Sequence, residues 1–450
     1  MDSLFSDPIM TFLPTELAER IFILCVPSLD LPQTTSRAPV LLCLVSKSWR
    51  DYVYNIPALW RTICLHPTRN SKVGAMNTWL TRSGRNSLVV FLKVSRFFGS
   101  EGGVFVAALF AHSARIHTLR LCLESVSVWN CTPTLPRLER LEIEPSPSIG
   151  CAPAISPIVN SAPRLREIVW SSRDDPQPVL ANGNQLRKLS LLSGIDDLSQ
   201  VKTVLQACPH LTYLAIRDPS TWTRTTPSES VARIPLMDLA TLEASPITLQ
   251  LCVAPNLLSL AFTGNHSHIP SLLSFLPGSP RLRDLKLTLR LECEHQFMEI
   301  FNSVSSVVFL EVTIITTAPN HLDSIINNIL KALARGMTCW EGNCVLPCLQ
   351  HLIIHGHQLS TSDVVSIECD TLVDMLERRQ YRLLNRHIPH DVNLSIQSLV
   401  HGIQPAARLK SFILNGYGAL NHHALHRLEP LRNQGLALGG TLIPTNNCEA

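Results

Sequence analysis

The sequence predicts a mixed α/β chain in which a small all-helical module precedes a long array of alternating strands and helices. Three observations carry that expectation. Apolar residues recur at helical spacing in short runs before residue 64. From residue 116 onward one apolar pattern, L-x-x-L-x-L, returns eleven times. Between copies the apolar period lengthens from two to about 3.6, the change from strand to helix.

Composition sets the bounds. The 450 residues are 45% apolar and 16% charged, enough to bury a large core and too apolar for a disordered chain. The formal net charge is +3, and no basic stripe with interleaved aromatics occurs, so no nucleic-acid partner is expected. The longest stretch without Asp, Glu, Lys or Arg, Ala244 to Pro280, is broken by four prolines, so no membrane span is expected. Residues 1–12 carry acids where a secretory signal has lysines. Many of the 14 cysteines sit in apolar runs, as reduced buried thiols do. A cytoplasmic or nuclear location is the expectation, and the sequons at Asn130, Asn265 and Asn393 then carry no glycan.

The first apolar run is "FLPTELAERIFILC", residues 12–25. Pro14 suits a first helical turn, where its missing N–H costs nothing. Leu17, Ile21 and Leu24 follow at i, i+4, i+7, and Ala18, Phe22 and Cys25 make a second stripe beside them. Pro27 to Ala38 is a loop by composition. Pro39 opens a second helix in which Leu42, Val45, Trp49 and Tyr52 share a face, and "NIPALWRTI" begins a third element at Pro57 with Leu59, Trp60 and Ile63. Three short helices cannot enclose this much apolar surface, so one face is expected to dock.

These segments match L-P-x-E-L-x-x-x-I-F, V-S-K-x-W-R and P-x-L-W in order and spacing, and the region resembles an F-box. The residues that carry the match are Leu13, Pro14, Glu16, Leu17, Ile21, Phe22, Val45, Ser46, Lys47, Trp49, Arg50, Pro57, Leu59 and Trp60. The stretch "WLTRSGRNSLVVFLKV" from Trp79 resembles the segment after the F-box in many fungal members of that family. The resemblance implies a non-catalytic receptor subunit whose F-box binds a Skp-type adaptor, and through it a cullin, in a ubiquitin ligase. It places the adaptor contacts on Leu13, Pro14, Leu17, Ile21, Phe22, Leu42, Val45, Trp49, Leu59 and Trp60. The linking loop from Pro27 to Ala38 is longer than the family's usual one.

The L-x-x-L-x-L copies are anchored at Ile116, Leu138, Leu165, Leu186, Leu211, Leu239, Leu257, Leu282, Val307, Leu349 and Leu409. The first nine lie 18 to 28 residues apart and the last two gaps are 42 and 60, so a hidden copy or insertions are expected there. A proline stands two residues before the anchor in six copies, where it stops the preceding helix. Helical period returns in Val201, Val204, Leu205 and Cys208, in Phe297, Ile300, Phe301 and Val304, and in Leu322, Ile325, Ile326, Ile329 and Leu333, with Gly336 as a cap. A strand and a helix at this period make an irregular leucine-rich-repeat solenoid. The expected organisation is a tail over 1–11, the F-box over 12–64, a connecting segment and start of the array over 65–113, and the array over 114–450.

If the leucine-type positions face the core, the +2, +4 and +6 residues form ladders on the other face. Arg140, Glu167, Lys188, Tyr213, Arg217, Lys286 and Glu311 are the candidates for binding a target protein. Mixed signs around one aromatic suit a peptide or protein better than a phosphate backbone. Cys339, Cys344, Cys348, His351, His355 and His357 lie close in sequence, but their spacing suits no zinc site and no metal is expected. No phosphate, dinucleotide, nucleophile or metalloprotease motif occurs, so neither cofactor nor enzyme activity is expected. "HPTRNSK" (66–72) reads as a solvated loop, and "DMLERRQYRL" (374–383) as an exposed helix with a basic face. Beside the ligase-receptor reading stands a repeat scaffold acting outside ubiquitin transfer.

Overall fold

The computed structural model describes residues 12–26, 38–65, 73–94, 99–123, 133–144, 152–172, 175–180, 183–193, 198–217, 232–290, 295–316, 319–335, 346–358, 369–381, 407–415 and 422–440. The loop 27–37, "HPTRNSK", Cys339, Cys344, Gly336, Asn130 and Asn393 lie outside the described residues. The chain divides into two compact units, residues 1–211 with 217–225 and residues 212–216 with 226–450.

The first unit opens with three helices, α1 (Thr15–Leu24), α2 (Val40–Val45) and α3 (Lys47–Tyr54), and a 3-10 turn at Pro57–Trp60. The second expected helix is two helices. Ser46 between them is extended (φ −153°, ψ 169°), and its hydroxyl accepts from the Trp49 N–H at 3.1 Å, capping α3. That break puts Leu42 in the core while Val45 faces outward. Phe22 packs on Trp49, ring centroids 4.7 Å apart, inside a cluster with Leu42, Cys43, Val53, Ile56, Leu59 and Trp60.

Six parallel strands follow: β1 (Thr62–Leu65), β2 (Leu88–Val94), β3 (Ile116–Leu123), β4 (Arg140–Ile143), β5 (Glu167–Trp170) and β6 (Lys188–Leu191). Helices lie between most of them, among them α4 (Val73–Arg82) and α5 (Gly99–Phe110). Two strands thus precede the first expected copy. Trp60, Ile63 and Leu65 reproduce the anchor, +3 and +5 spacing, so the last residue of the helical module is also the anchor of the first repeat. In β2 the register shifts between Leu88 and Val89, and the buried residues become Leu88, Val90 and Leu92, one position short of the pattern.

The second unit carries β7 (Tyr213–Ile216), β9 (Thr241–Ala244), β11 (Ser259–Asn265), β12 (Asp284–Arg290), β13 (Phe309–Thr316), β14 (His351–Gln358), β15 (Ser411–Asn415) and β16 (Ala437–Gly440), paired in that order and all parallel. Two short strands, β8 (Ile234–Pro235) and β10 (Cys252–Val253), pair separately. β13 pairs directly with β14, and β14 with β15, so the long gaps are insertions and hide no copy in the ladder. One insertion holds the helix Pro319–Arg335 and the other the helix Cys369–Tyr381. β16 is a further strand beyond the last expected copy.

The core is where the spacing puts it. Leu138, Leu165, Leu211, Leu239, Leu257, Leu349 and Val307 are fully buried, as are the helix residues Val201, Leu205, Ile300, Leu322, Ile326 and Leu333. Arg379 is a difference: the expected exposed basic helix buries it at 1% exposure, and its Nη1 donates to the Leu346 carbonyl at 3.3 Å.

Position within the repeat sets the cost of truncation. Leu285 is fully buried in β12, whereas Leu258, one residue past the Leu257 anchor, is 44% exposed. Leu285→Ala is expected to lower unfolding free energy by about 2–5 kcal/mol, and Leu258→Ala by under about 0.5 kcal/mol. Urea denaturation of the two variants checks the contrast.

Candidate interaction surfaces

Apolar surface is left open on one part of the first unit. Leu24 is 79% exposed, Leu44 61%, Val45 56%, Leu17 49%, and Ile21 and Leu41 45% each. Phe12, Ile23 and Tyr54 are exposed too. Outside residues 12–54, the exposed large apolar residues among those described are Val104, Met237 and Leu258, scattered singly. Leu17, Ile21 and Leu24 form one stripe of α1, and Leu41, Leu44 and Val45 line α2.

The expected adaptor residues therefore separate into two groups. Leu17, Ile21 and Val45 are on this open surface, Pro14 is exposed, and Leu13 is half-buried. Phe22, Leu42, Leu59 and Trp60 are buried at 1%, 7%, 0% and 1%, and the half-buried Trp49 packs against them. The apolar area of Phe22, Leu42, Leu59 and Trp60 is already spent inside the module, so these four hold the helices together. Leu24, Leu41 and Leu44 are exposed beside them and absent from the sequence-based set, as are Phe12, Ile23 and Tyr54. The signal for Leu24 was its place in the Leu17–Ile21 stripe.

The module is also anchored to the array. Tyr52 Oη donates to the Thr15 carbonyl at 2.6 Å, and Arg50 Nε to the Cys43 carbonyl at 2.9 Å. Trp60 Nε1 donates to the Val53 carbonyl at 3.0 Å, and the Trp60 and Trp79 rings meet edge to face at 4.8 Å. The Arg82 guanidinium stacks over Tyr54 at 3.7 Å and Trp60 at 4.6 Å. Trp79 and Arg82 belong to α4, so the first array helix clamps the end of the module.

The expected ladders are in register within each unit. In the first, Thr118, Arg140, Glu167 and Lys188 align, and Arg120 stands beside Glu142. Arg140 Nη1 lies 2.7 Å from Glu167, Arg120 Nε lies 3.5 Å from Glu142, and Lys188 is 4.0 Å from Glu167. Arg140 also pairs with Glu142, and Arg120 with Glu144. Three cations thus face three carboxylates. Arg217, whose N–H donates to the Leu191 carbonyl at 2.9 Å, follows this set in the same unit.

In the second unit Tyr213, Thr241, Ser259, Asp284, Phe309, His351 and Ser411 align. Tyr213 Oη donates to Glu243 at 2.7 Å, and Lys286 pairs with Glu311 at 2.8 Å. His355 Nε2 lies 3.5 Å from Glu311, and His351 Nδ1 lies 2.7 Å from Ser411 Oγ. Among the described residues no three of His, Cys, Asp and Glu converge as metal ligands. No helix among them is long and apolar enough to cross a membrane.

Thiol reactivity follows from the same burial map. Desolvation pushes the Cys208 and Cys252 thiols up to about 12, while Cys25 is exposed at the end of α1. At pH 8 on the order of one in ten thousand of such raised thiols is ionised. An alkylating reagent is expected to modify Cys25 rapidly and Cys208 and Cys252 only on unfolding, as peptide mapping checks. Because the unfolded thiols ionise first, these two sites contribute full stability below about pH 9 and lose it toward about pH 12. Gly183 adds to the packing at Cys208, since a Cβ there would lie 2.3 Å from its Sγ.

No protein-family model matches the chain, and no curated protein does. Among solved structures, the chain is similar to the leucine-rich repeat-containing protein LegL7 from Legionella pneumophila, at 14% identity over 64% of this chain and 97% of that one, with a TM-score of 0.30. It is also similar to TLR13, solved in complex with ssRNA13, at 12% identity over 86% of this chain and 59% of that one, with a TM-score of 0.31.

Proposed function

We propose that this protein is a substrate-recognition subunit of a Skp–cullin–F-box ubiquitin ligase. The open apolar surface of α1 and α2 takes a Skp-type adaptor, and the adaptor brings the cullin. The repeats hold a target protein. The observation that carries the reading is the concentration of exposed large apolar side chains on residues 12–54. A folded chain leaves such a patch open where a partner covers it. The F-box sequence match falls on the same helices. The clamp of Trp79 and Arg82 on the module supports it as well, since a receptor needs its target surface held at a fixed place from its ligase surface.

The adaptor contacts assigned by this reading are Leu13, Pro14, Leu17, Ile21, Leu24, Leu41, Leu44 and Val45. Phe22, Leu42, Trp49, Leu59 and Trp60 shape the helices behind them. Burying one such side chain is worth about 1.5–3 kcal/mol. Leu24→Glu with Leu44→Glu is therefore expected to weaken co-purification with a Skp-type adaptor at least about tenfold. Both residues are exposed, so the thermal unfolding midpoint should hold. Arg140→Glu with Lys188→Glu, on the sheet face of the first unit, should leave adaptor binding intact and abolish capture of the target. Equal adaptor recovery by the Leu24→Glu, Leu44→Glu variant and the wild type would favour a repeat scaffold acting outside ubiquitin transfer.

A further inference from the structure

We propose that the leading edge of the strands in the first unit docks a carboxylate-rich segment of a partner protein. The site is distinct from the adaptor surface and does not depend on it. The same tight turn precedes three successive strands: Leu138 N–H donates to the Leu135 carbonyl at 3.1 Å, Leu165 N–H to Ala162 at 3.1 Å, and Leu186 N–H to Gly183 at 2.9 Å. The residues flanking each leucine therefore recur at one place in each repeat. Arg166 N–H donates to the Glu139 carbonyl at 2.9 Å, and Arg187 N–H to the Arg166 carbonyl at 2.8 Å. Neighbouring strands stand about 4.8 Å apart, so these side chains follow one another at that interval. On the other side of the leucine come Arg137 and Arg164.

This edge carries unbalanced charge. Arg137, Arg164, Arg166 and Arg187 are all exposed. Among the described residues Arg137, Arg164 and Arg166 have no carboxylate partner. Arg187 Nη1 donates to the His210 carbonyl at 3.0 Å. The acid in the row, Glu139, sits 3.1 Å from His117. The adjoining sheet face differs, because Arg120, Arg140 and Lys188 are matched there by Glu142, Glu144 and Glu167. A partner seeking charge on the face must break existing pairs, and at Arg137, Arg164 and Arg166 it need not.

The fold does not demand arginine here. The equivalent positions of the second unit vary: Asn256 and Leu258, Ser306 and Val308, and Cys348 and Gln350 stand around buried anchors, while Arg281 and Arg283 flank Leu282, and Arg408 and Lys410 flank Leu409. What sets the first unit apart is succession: Arg137, Arg164, Arg166 and Arg187 stand beside the anchors of three strands paired one after another. A short acidic peptide fits better than a nucleic acid. No aromatic flanks these leucines for a base to stack on. A long phosphate backbone leaving the edge would also meet Glu142, Glu144 and Glu167 on the face.

The test is fluorescence anisotropy of a labelled oligoglutamate peptide with the full chain at low ionic strength. Wild type should bind, and added salt should weaken binding. R137E/R164E/R166E should lose at least about tenfold in affinity, and R137Q/R164Q/R166Q less, with unchanged thermal unfolding. R120Q/E142Q, on the face, should bind as wild type. An oligothymidylate of equal charge should bind no tighter than the peptide. No peptide binding by wild type, equal binding by either triple variant, or tighter oligothymidylate binding would overturn the proposal.

Discussion

No repeat in this chain can bury its own apolar residues. Each contributes a strand of four to eight residues to the main ladders, whose leucines are covered only when the strands before and after stack in register. That dependence on neighbours explains the parallel order, the prolines that stop the chain before six of the anchors, and the tolerance for insertions. The helices Pro319–Arg335 and Cys369–Tyr381 lengthen their repeats while β13, β14 and β15 still pair directly. It also explains why the helical module is not a free appendage: Trp60 is both a core residue of the module and the anchor of the first repeat.

Stacking fixes what is left for recognition. The leucine side of every strand is consumed by the core, and the alternate residues are delivered as rows one strand apart. On the first unit's face those rows compensate one another in charge. Arg140, Glu142, Glu167 and Lys188 therefore give a face that is polar, ordered and close to neutral, suited to selecting among partners more than to attracting them. Attraction falls to the strand edges and to the open apolar stripes of α1 and α2. The three surfaces differ in chemistry, which lets each be altered without the others.

The repeat was legible because its signal is chemical and periodic. The apolar anchor, +3 and +5 positions survive as Leu257, Leu260 and Phe262 and as Leu282, Leu285 and Leu287, although the loops of the two repeats differ. The places that escaped are those where backbone geometry changed the spacing. The shift between Leu88 and Val89 removes one residue from the pattern of β2, and β16 carries two glycines in four residues. The first strand is hidden because Ile63 reads as part of the same element as Leu59 and Trp60, and the boundary at residue 64 falls inside Thr62–Leu65. On α1 periodicity showed two apolar stripes but could not say which faced inward. The F-box resemblance groups Phe22 with Leu17 and Ile21 as an adaptor contact, although it meets Trp49 and Tyr52 inside the module. Ser46 carried a readable capping signal, yet the apolar run across it suggested one continuous helix.

Amide hydrogen exchange of the full chain, alone and with a purified Skp-type adaptor, tests the central claim most directly. The account predicts new protection at α1 and α2, across Leu17–Leu24 and Leu41–Val45, with exchange in the second unit unchanged. Protection confined to the strands, or none at all at saturating adaptor, would contradict it.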